Sequence, residues 1–216
     1  MQFIRQDAVA SLNAREKMTL KTLLARKPEK KSALENLGQV FAGRTPKSWT
    51  LEELSQAAKT GMQKRDFSRG QKMFAAAGCY ACHRFKNQGG MTGPDLSTAG
   101  RRYSVNDLLD QVIHPSKVIN DQFSSVMVQT DDGLVHNGVI VNLGVRRNGS
   151  MLVLNTDLTD PNQRVSIDRE TIEKIKVSKV SPMPAGLFDL MTREEILDLV
   201  AYLISGGDAK HEFFSR

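Results

Sequence analysis

Two cysteines and a histidine stand together in Cys79-Tyr80-Ala81-Cys82-His83, and the rest of the chain has to fold around whatever that spacing binds. C-x-x-C-H is the attachment signature of a c-type haem. Thiols three positions apart lie on one side of a helical turn, where they can add to the two vinyl groups of a single porphyrin. The histidine that follows at once faces the iron from the same side, and histidine is the usual proximal haem ligand. Three plainer readings compete. A structural zinc site needs four ligands, commonly including a second Cys or His pair. This chain has 2 cysteines, and His114, His136 and His211 are scattered. A thioredoxin-like thiol pair expects a strand before it in a βαβ setting, whereas a helical pattern precedes Cys79. A disulfide between Cys79 and Cys82 would close a loop too short to restrict the unfolded chain much.

The chain has 216 residues, 40% hydrophobic and 25% charged, ordinary for a globular protein. No run approaches the roughly 18 apolar residues that a membrane span needs. The net charge of +6 and pI near 9.4 favour acidic partners or anionic surfaces. Nucleic acid is not expected, because no stretch interleaves aromatic with basic residues. Met1-Gln2-Phe3-Ile4-Arg5-Gln6-Asp7 has no apolar core of a signal peptide. Covalent haem is attached outside the cytoplasm, so we expect a periplasmic or otherwise extracytoplasmic protein. Its signal has been removed or, the reading we favour, the chain is a piece of a longer precursor.

Read in order, residues 5–26 carry a helical pattern broken at Pro28, and a second helix is expected over 31–41. Thr50-Leu51-Glu52-Glu53 is a capping box that should open a third helix running to about Thr60. This region, 1–63, carries no chemistry of its own, and Trp49 reads as a packing anchor. Ser68-Arg69-Gly70-Gln71 offers another capping box, whose helix leads through Met73, Phe74 and Ala77 into Cys79. The glycine-rich loop after His83 contains Gly93-Pro94-Asp95-Leu96. A haem-ligating histidine needs an acceptor for its other ring nitrogen, and a backbone carbonyl commonly supplies one; Pro94 is the candidate. Ser104 should cap the next helix, which His114-Pro115-Ser116 stops. His114 reads as a helix-end histidine against the negative end of the dipole, with haem ligation the alternative.

From about 122 to 177 the period switches to two, and five short strands joined by turns are expected, the first hairpin at Asp131-Asp132-Gly133. His136 should be exposed on its strand. Asp131, Asp132, Asp157, Asp160 and Asp168 read as turn and edge residues rather than a metal site. Ser181-Pro182-Met183-Pro184 then holds one methionine in a stiff loop. A thioether is a common second axial ligand to c-type haem iron, which makes Met183 the candidate and Met91 and Met191 its rivals. Thr192-Arg193-Glu194-Glu195 opens a final helix that Gly206-Gly207 ends.

The order of haem motif, GPDL loop, proline-flanked methionine and closing helix resembles a class I cytochrome c. The spacing departs from it, because Met183 stands 100 positions after His83 and the β-patterned segment supplies the excess. The arrangement is similar to the haem-binding domain at the C-terminus of large bacterial secreted dehydrogenase-like proteins. The likeness covers about 65–216 and is carried by Gly93-Pro94-Asp95-Leu96, His114-Pro115-Ser116-Lys117 with Val118-Ile119, Asp132-Gly133, Ser181-Pro182-Met183-Pro184 with Gly186-Leu187, and Asp198-Leu199-Val200-Ala201-Tyr202-Leu203. It implies one covalent haem c, with thioethers at Cys79 and Cys82 and iron ligation by His83 and Met183. It also implies that 1–63 is the end of a helical region.

The expected fold is mainly α with a β insertion: a haem domain over 64–216, interrupted by a small antiparallel sheet or barrel at about 120–178, behind N-terminal helices. The expected function is electron transfer rather than catalysis, relaying electrons from an associated dehydrogenase to a respiratory carrier through an acidic partner surface. Two rivals stand beside it: an open-coordination haem protein acting on peroxide or a diatomic gas, and a binding module in which the β insert is the working part.

Overall fold

The structure is a computed structural model that describes residues 40–141, 150–160 and 162–215, with Asn13, Glu16 and Lys17. Apart from these isolated residues and Val40 and Phe41, the helices expected over 5–26 and 31–41 lie outside the described residues. The chain separates into two compact units, residues 1–32 and 33–216, and the second carries every element below. Among the described residues the α-helices are α1 (Leu51–Gly61), α2 (Phe67–Ala76), α3 (Cys79–Cys82), α4 (Ala99–Arg102), α5 (Val105–Ile113) and α6 (Arg193–Ile204). A small hairpin, β1 (Arg84–Phe85) with β2 (Gln88–Gly89), follows α3, and five strands separate α5 from α6.

Local chemistry starts these helices. Thr50 with Glu53, Ser104 with Asp107 and Thr192 with Glu195 each form a complete capping box, satisfying end N–H groups that a helix leaves unpaired. The box expected at Ser68 does not form. α2 starts earlier, with Asp66 as its cap accepting from the Arg69 N–H at 2.9 Å, and Gly70 falls inside the helix. Its role is at a crossing: a Cβ on Gly70 would stand 2.3 Å from the Asp198 carbonyl oxygen on α6.

α6 is the centre of the helical part. Every residue from Glu195 to Leu203 is buried, and α1, α2, α4 and α5 all pack on it. A helix buried on all sides needs polar groups satisfied internally. Asp198, fully buried, accepts from the Asp66 backbone N–H at 3.0 Å and pairs with Arg69 and with Arg65. Glu195 receives the Arg44 guanidinium in two bonds, 2.6 and 2.9 Å. Phe41, Leu54 and Met62 join Phe74, Phe85 and Leu109 in the core around α6. The described part of the N-terminal region therefore packs into this core. Trp49, the expected anchor, donates its indole N–H to the Met191 carbonyl at 3.2 Å.

The Glu195 pair makes stability depend on pH. The Arg44 guanidinium holds the Glu195 carboxyl down at about 2, against an ordinary 4.5. A carboxyl depressed by folding stabilises the protein fully above its unfolded pKa, and the contribution disappears as pH falls through the folded one. The contribution is on the order of 2 kcal/mol after allowing for the partly exposed arginine. Urea unfolding should therefore separate wild type from Arg44→Met at pH 7 and bring them together near pH 2. An equal gap at both pH values would refute this account.

The five strands are β3 (Ser125–Thr130), β4 (Val135–Ile140), β5 (Met151–Asn155), β6 (Arg164–Asp168) and β7 (Ile172–Val177), ordered β6-β5-β4-β3-β7 and antiparallel throughout. The number and places of the strands follow the period-two pattern. Val126, Val128, Leu152, Leu154 and Ile167 make a separate core for the sheet. His136 is half-buried rather than exposed, because it pairs directly opposite fully buried Val128 and so shares its face. β3 also pairs with β7, Val126 opposite Val177, so the two ends of the segment that runs from β3 to β7 lie side by side. Below them the Ser181 N–H donates to Ser116 Oγ at 3.0 Å. The chain is thus a set of helices plus a five-stranded antiparallel sheet, more mixed than the mainly helical fold expected.

Candidate haem site

The motif lies directly downstream of α2. Gly78, at φ 73°, turns the chain from α2 into the single turn of α3, a left-handed conformation that costs glycine little. The His83 N–H then closes on the Cys79 carbonyl at 2.9 Å. Cys79 and Cys82 are both free thiols and both half-buried. Burial pushes the Cys79 thiol up to about 12. A thiol pair built for disulfide exchange relies on the opposite shift. Among the described residues no group of three or more His, Cys, Asp or Glu side chains is placed to hold a metal ion, so the pair has no second half of a zinc site there.

The glycine-rich loop straps the motif down. The Gly90 N–H donates to Tyr80 O and the Gly93 N–H to Cys82 O, each at 2.8 Å, and the Leu96 N–H reaches Arg84 O at 2.9 Å. Side chains are excluded where the backbones meet: a Cβ on Gly90 would stand 2.2 Å from the Ala81 carbonyl oxygen, and one on Gly93 3.0 Å from the His83 ring. This strap carries Pro94, whose carbonyl oxygen lies 2.9 Å from His83 Nδ1. A carbonyl only accepts, so Nδ1 carries the hydrogen and the Nε2 lone pair is left for a metal. Burial lowers the His83 pKa and keeps the imidazole in the neutral form that ligation requires. The motif also packs into the aromatic core, with the Tyr80 ring edge-on to Phe74 at 4.5 Å and its hydroxyl 3.4 Å from that of Tyr202.

The structure thus brings Cys79, Cys82, His83 and Pro94 into one unit. Met183 is held from a separate loop, where its N–H donates to Ser181 Oγ at 3.1 Å, and it is half-buried. Of its rivals, Met91 is 77% exposed and Met191 is 3% exposed inside the helical core. His114 ends α5 with Nδ1 2.7 Å from Asp110 Oδ1 on the preceding turn, the helix-end role expected of it. Asp132, Asp157, Asp160 and Asp168 accept from backbone N–H groups two residues ahead, as turn residues do.

Thr92 and Leu158 carry no mark in the sequence. The Thr92 hydroxyl donates to the Leu158 carbonyl at 2.7 Å, and the Cys82 thiol donates to the same carbonyl at 3.8 Å. Gly70 did leave a signal, since an isolated glycine within a helical pattern usually has a packing reason.

Two free thiols one helical turn apart, beside a neutral histidine with its ligating nitrogen unprotonated, fit a c-type haem. Residues 67–130 match the family model described as cytochrome c. The match starts at the first residue of α2 and stops at the last residue of β3, so Met183 and α6 lie beyond it. It supports a cytochrome c-like haem-binding domain and, in general, haem-based electron transfer. No curated protein matches the chain.

Proposed function

We propose that this chain is an electron-transfer module built on one covalent haem c, with its haem domain over 64–216 and the sheet as an insertion in a class I cytochrome c-like core. Cys79 and Cys82 would hold the haem through thioethers, His83 would ligate its iron through Nε2, and Met183 would supply a thioether as the second protein ligand. The observation that carries the reading is the 2.9 Å contact of His83 Nδ1 with the Pro94 carbonyl, which selects the tautomer that a haem ligand needs. A bound haem supplies one-electron cycling between ferric and ferrous iron, and the protein supplies ligands and a dry pocket. The half-buried setting of Met183 between two prolines favours it over exposed Met91 and core-packed Met191.

The wider setting follows the chemistry. Covalent attachment places the module outside the cytoplasm, and among the described residues no helix is long and apolar enough to cross a membrane. The net charge of +6 favours an acidic redox partner, with association weakened by salt. An associated or upstream dehydrogenase would donate electrons that the module passes to a respiratory carrier.

The test is the visible spectrum of protein matured in the periplasm, oxidised and reduced. Wild type should give a low-spin c-type spectrum with the weak sulfur-to-iron band toward the red, and Met183→Ala should lose the band and turn high-spin. Loss of low-spin character in wild type itself would instead favour an open-coordination haem acting on peroxide or a diatomic gas. A band that survives the substitution would remove Met183 as the ligand.

A further inference from the structure

The inserted sheet reaches back to the haem motif through one turn. Leu158, between β5 and β6, presents its carbonyl to the Thr92 hydroxyl at 2.7 Å and to the Cys82 thiol at 3.8 Å, across 66 and 76 positions of sequence. The turn is preformed. Asn155 Oδ1 accepts from the Asp157 N–H at 3.0 Å, and Asp157 Oδ1 accepts from the N–H and hydroxyl of Thr159 at 2.9 and 2.7 Å. Leu158 is therefore shown to the motif by a rigid turn, rooted at Asn155, which is buried.

The chemistry of attachment gives this contact a meaning. A thioether at Cys82 joins its sulfur to a carbon on the porphyrin rim, so a group that touches this sulfur stands at the rim. Attachment also takes the S–H hydrogen, which leaves Thr92 as the one of these two donors still able to hold the Leu158 carbonyl. Thr92 lies two residues before Pro94, on the strap that orients His83. One short segment thus positions the histidine with a carbonyl and the sheet with a hydroxyl.

We infer that the β5–β6 turn, latched by Thr92, walls the haem rim at Cys82, so that the sheet governs how far water reaches the haem. The inference rests on the haem reading above. Thr92 and Asp157 act as positioning residues. Solvent exposure is one of the levers on a haem potential, and excluding water disfavours the more highly charged ferric state. Loosening the turn should therefore lower the potential and open the rim to small oxidants.

The experiment compares wild type, Thr92→Val, Thr92→Ser and Asp157→Ala, all matured in the periplasm. Midpoint potential and the rate of oxidation of the reduced protein by ferricyanide are the readouts. Thr92→Val and Asp157→Ala should keep the wild-type spectrum, show a lower potential and oxidise about five-fold faster, the factor for one ordinary hydrogen bond. Thr92→Ser keeps the hydroxyl and should behave as wild type. Wild-type potential and rate in both Thr92→Val and Asp157→Ala would overturn the inference. If Thr92→Val fails to mature, Asp157→Ala, remote from the motif in sequence, decides by the same two readouts. A wild-type protein without a c-type spectrum would overturn the haem reading itself, a separate result.

Discussion

Gly70→Ala should destabilise the protein by about 2 kcal/mol or more, although alanine is the better helix former by about 1 kcal/mol. The methyl group would enter 2.3 Å from the Asp198 carbonyl oxygen and 2.9 Å from Tyr202 Cβ. Neither can swing aside as the tip of a flexible side chain can, so α2 and α6 have to separate. Separation loosens the helix pair with the most extensive packing in the helical part and shifts the segment that leads through Gly78 into Cys79. The urea midpoint should fall, and the yield of haem-loaded protein with it. Ser68→Ala, on the exposed side of the same helix, should change stability by less than about 0.5 kcal/mol. A Gly70→Ala protein as stable as wild type would show that the crossing is not close.

Asp198→Ala should cost about 3 kcal/mol, the lower end for breaking a buried ion pair. It strands the Asp66 N–H that Asp198 accepts at 3.0 Å and leaves a void at the same crossing. The arginines lose less. Arg65 keeps Glu194 at 2.7 Å, and Arg69, 42% exposed at its side chain, can return to water. Removing Arg69 first should therefore recover only part of the loss. A double-mutant cycle checks this by chemical denaturation: coupling equal to the whole Asp198→Ala effect would assign the cost to the ion pair alone.

What could be read from the sequence was local. The capping boxes at Thr50 and Thr192 and the cap at Ser104 need only four consecutive residues, whereas the same pattern at Ser68 misleads because Asp66 caps that helix earlier; the sheet announced itself by alternation within each strand. The C-x-x-C-H run stands out because covalent haem attachment calls for that spacing. The Pro94 carbonyl could be proposed because it follows His83 at loop distance. What escaped was what joins distant residues. Asp198 carries no sequence mark of its buried pairing, because its partners Arg65, Asp66 and Arg69 stand far upstream. Gly70 read as part of a cap, although an isolated glycine in a helical pattern points to a packing reason; which helix it meets is not written locally. Leu158 lies in the turn between β5 and β6 and Thr92 in the strap, and their contact spans 66 positions of sequence. His136 seemed exposed because alternation alone does not reveal which strand lies opposite.

The pairing of Val126 with Val177 bears on how such a chain folds at all. α2 and α6 must find each other although Arg69 and Asp198 are 129 positions apart. A flexible loop of that length would slow the search, since distant contacts are won late. The sheet shortens the search from within. Once β3 and β7 pair, and Ser181 meets Ser116, the segment behaves toward the helices as a tight turn and adds little to the entropy of bringing them together. A segment closed in this way is nearly neutral for the helices on either side of it, provided that it closes first. Folding of the sheet ahead of the haem core is then the productive order, and a chain whose β3–β7 seam cannot form should collapse slowly even with every core residue intact.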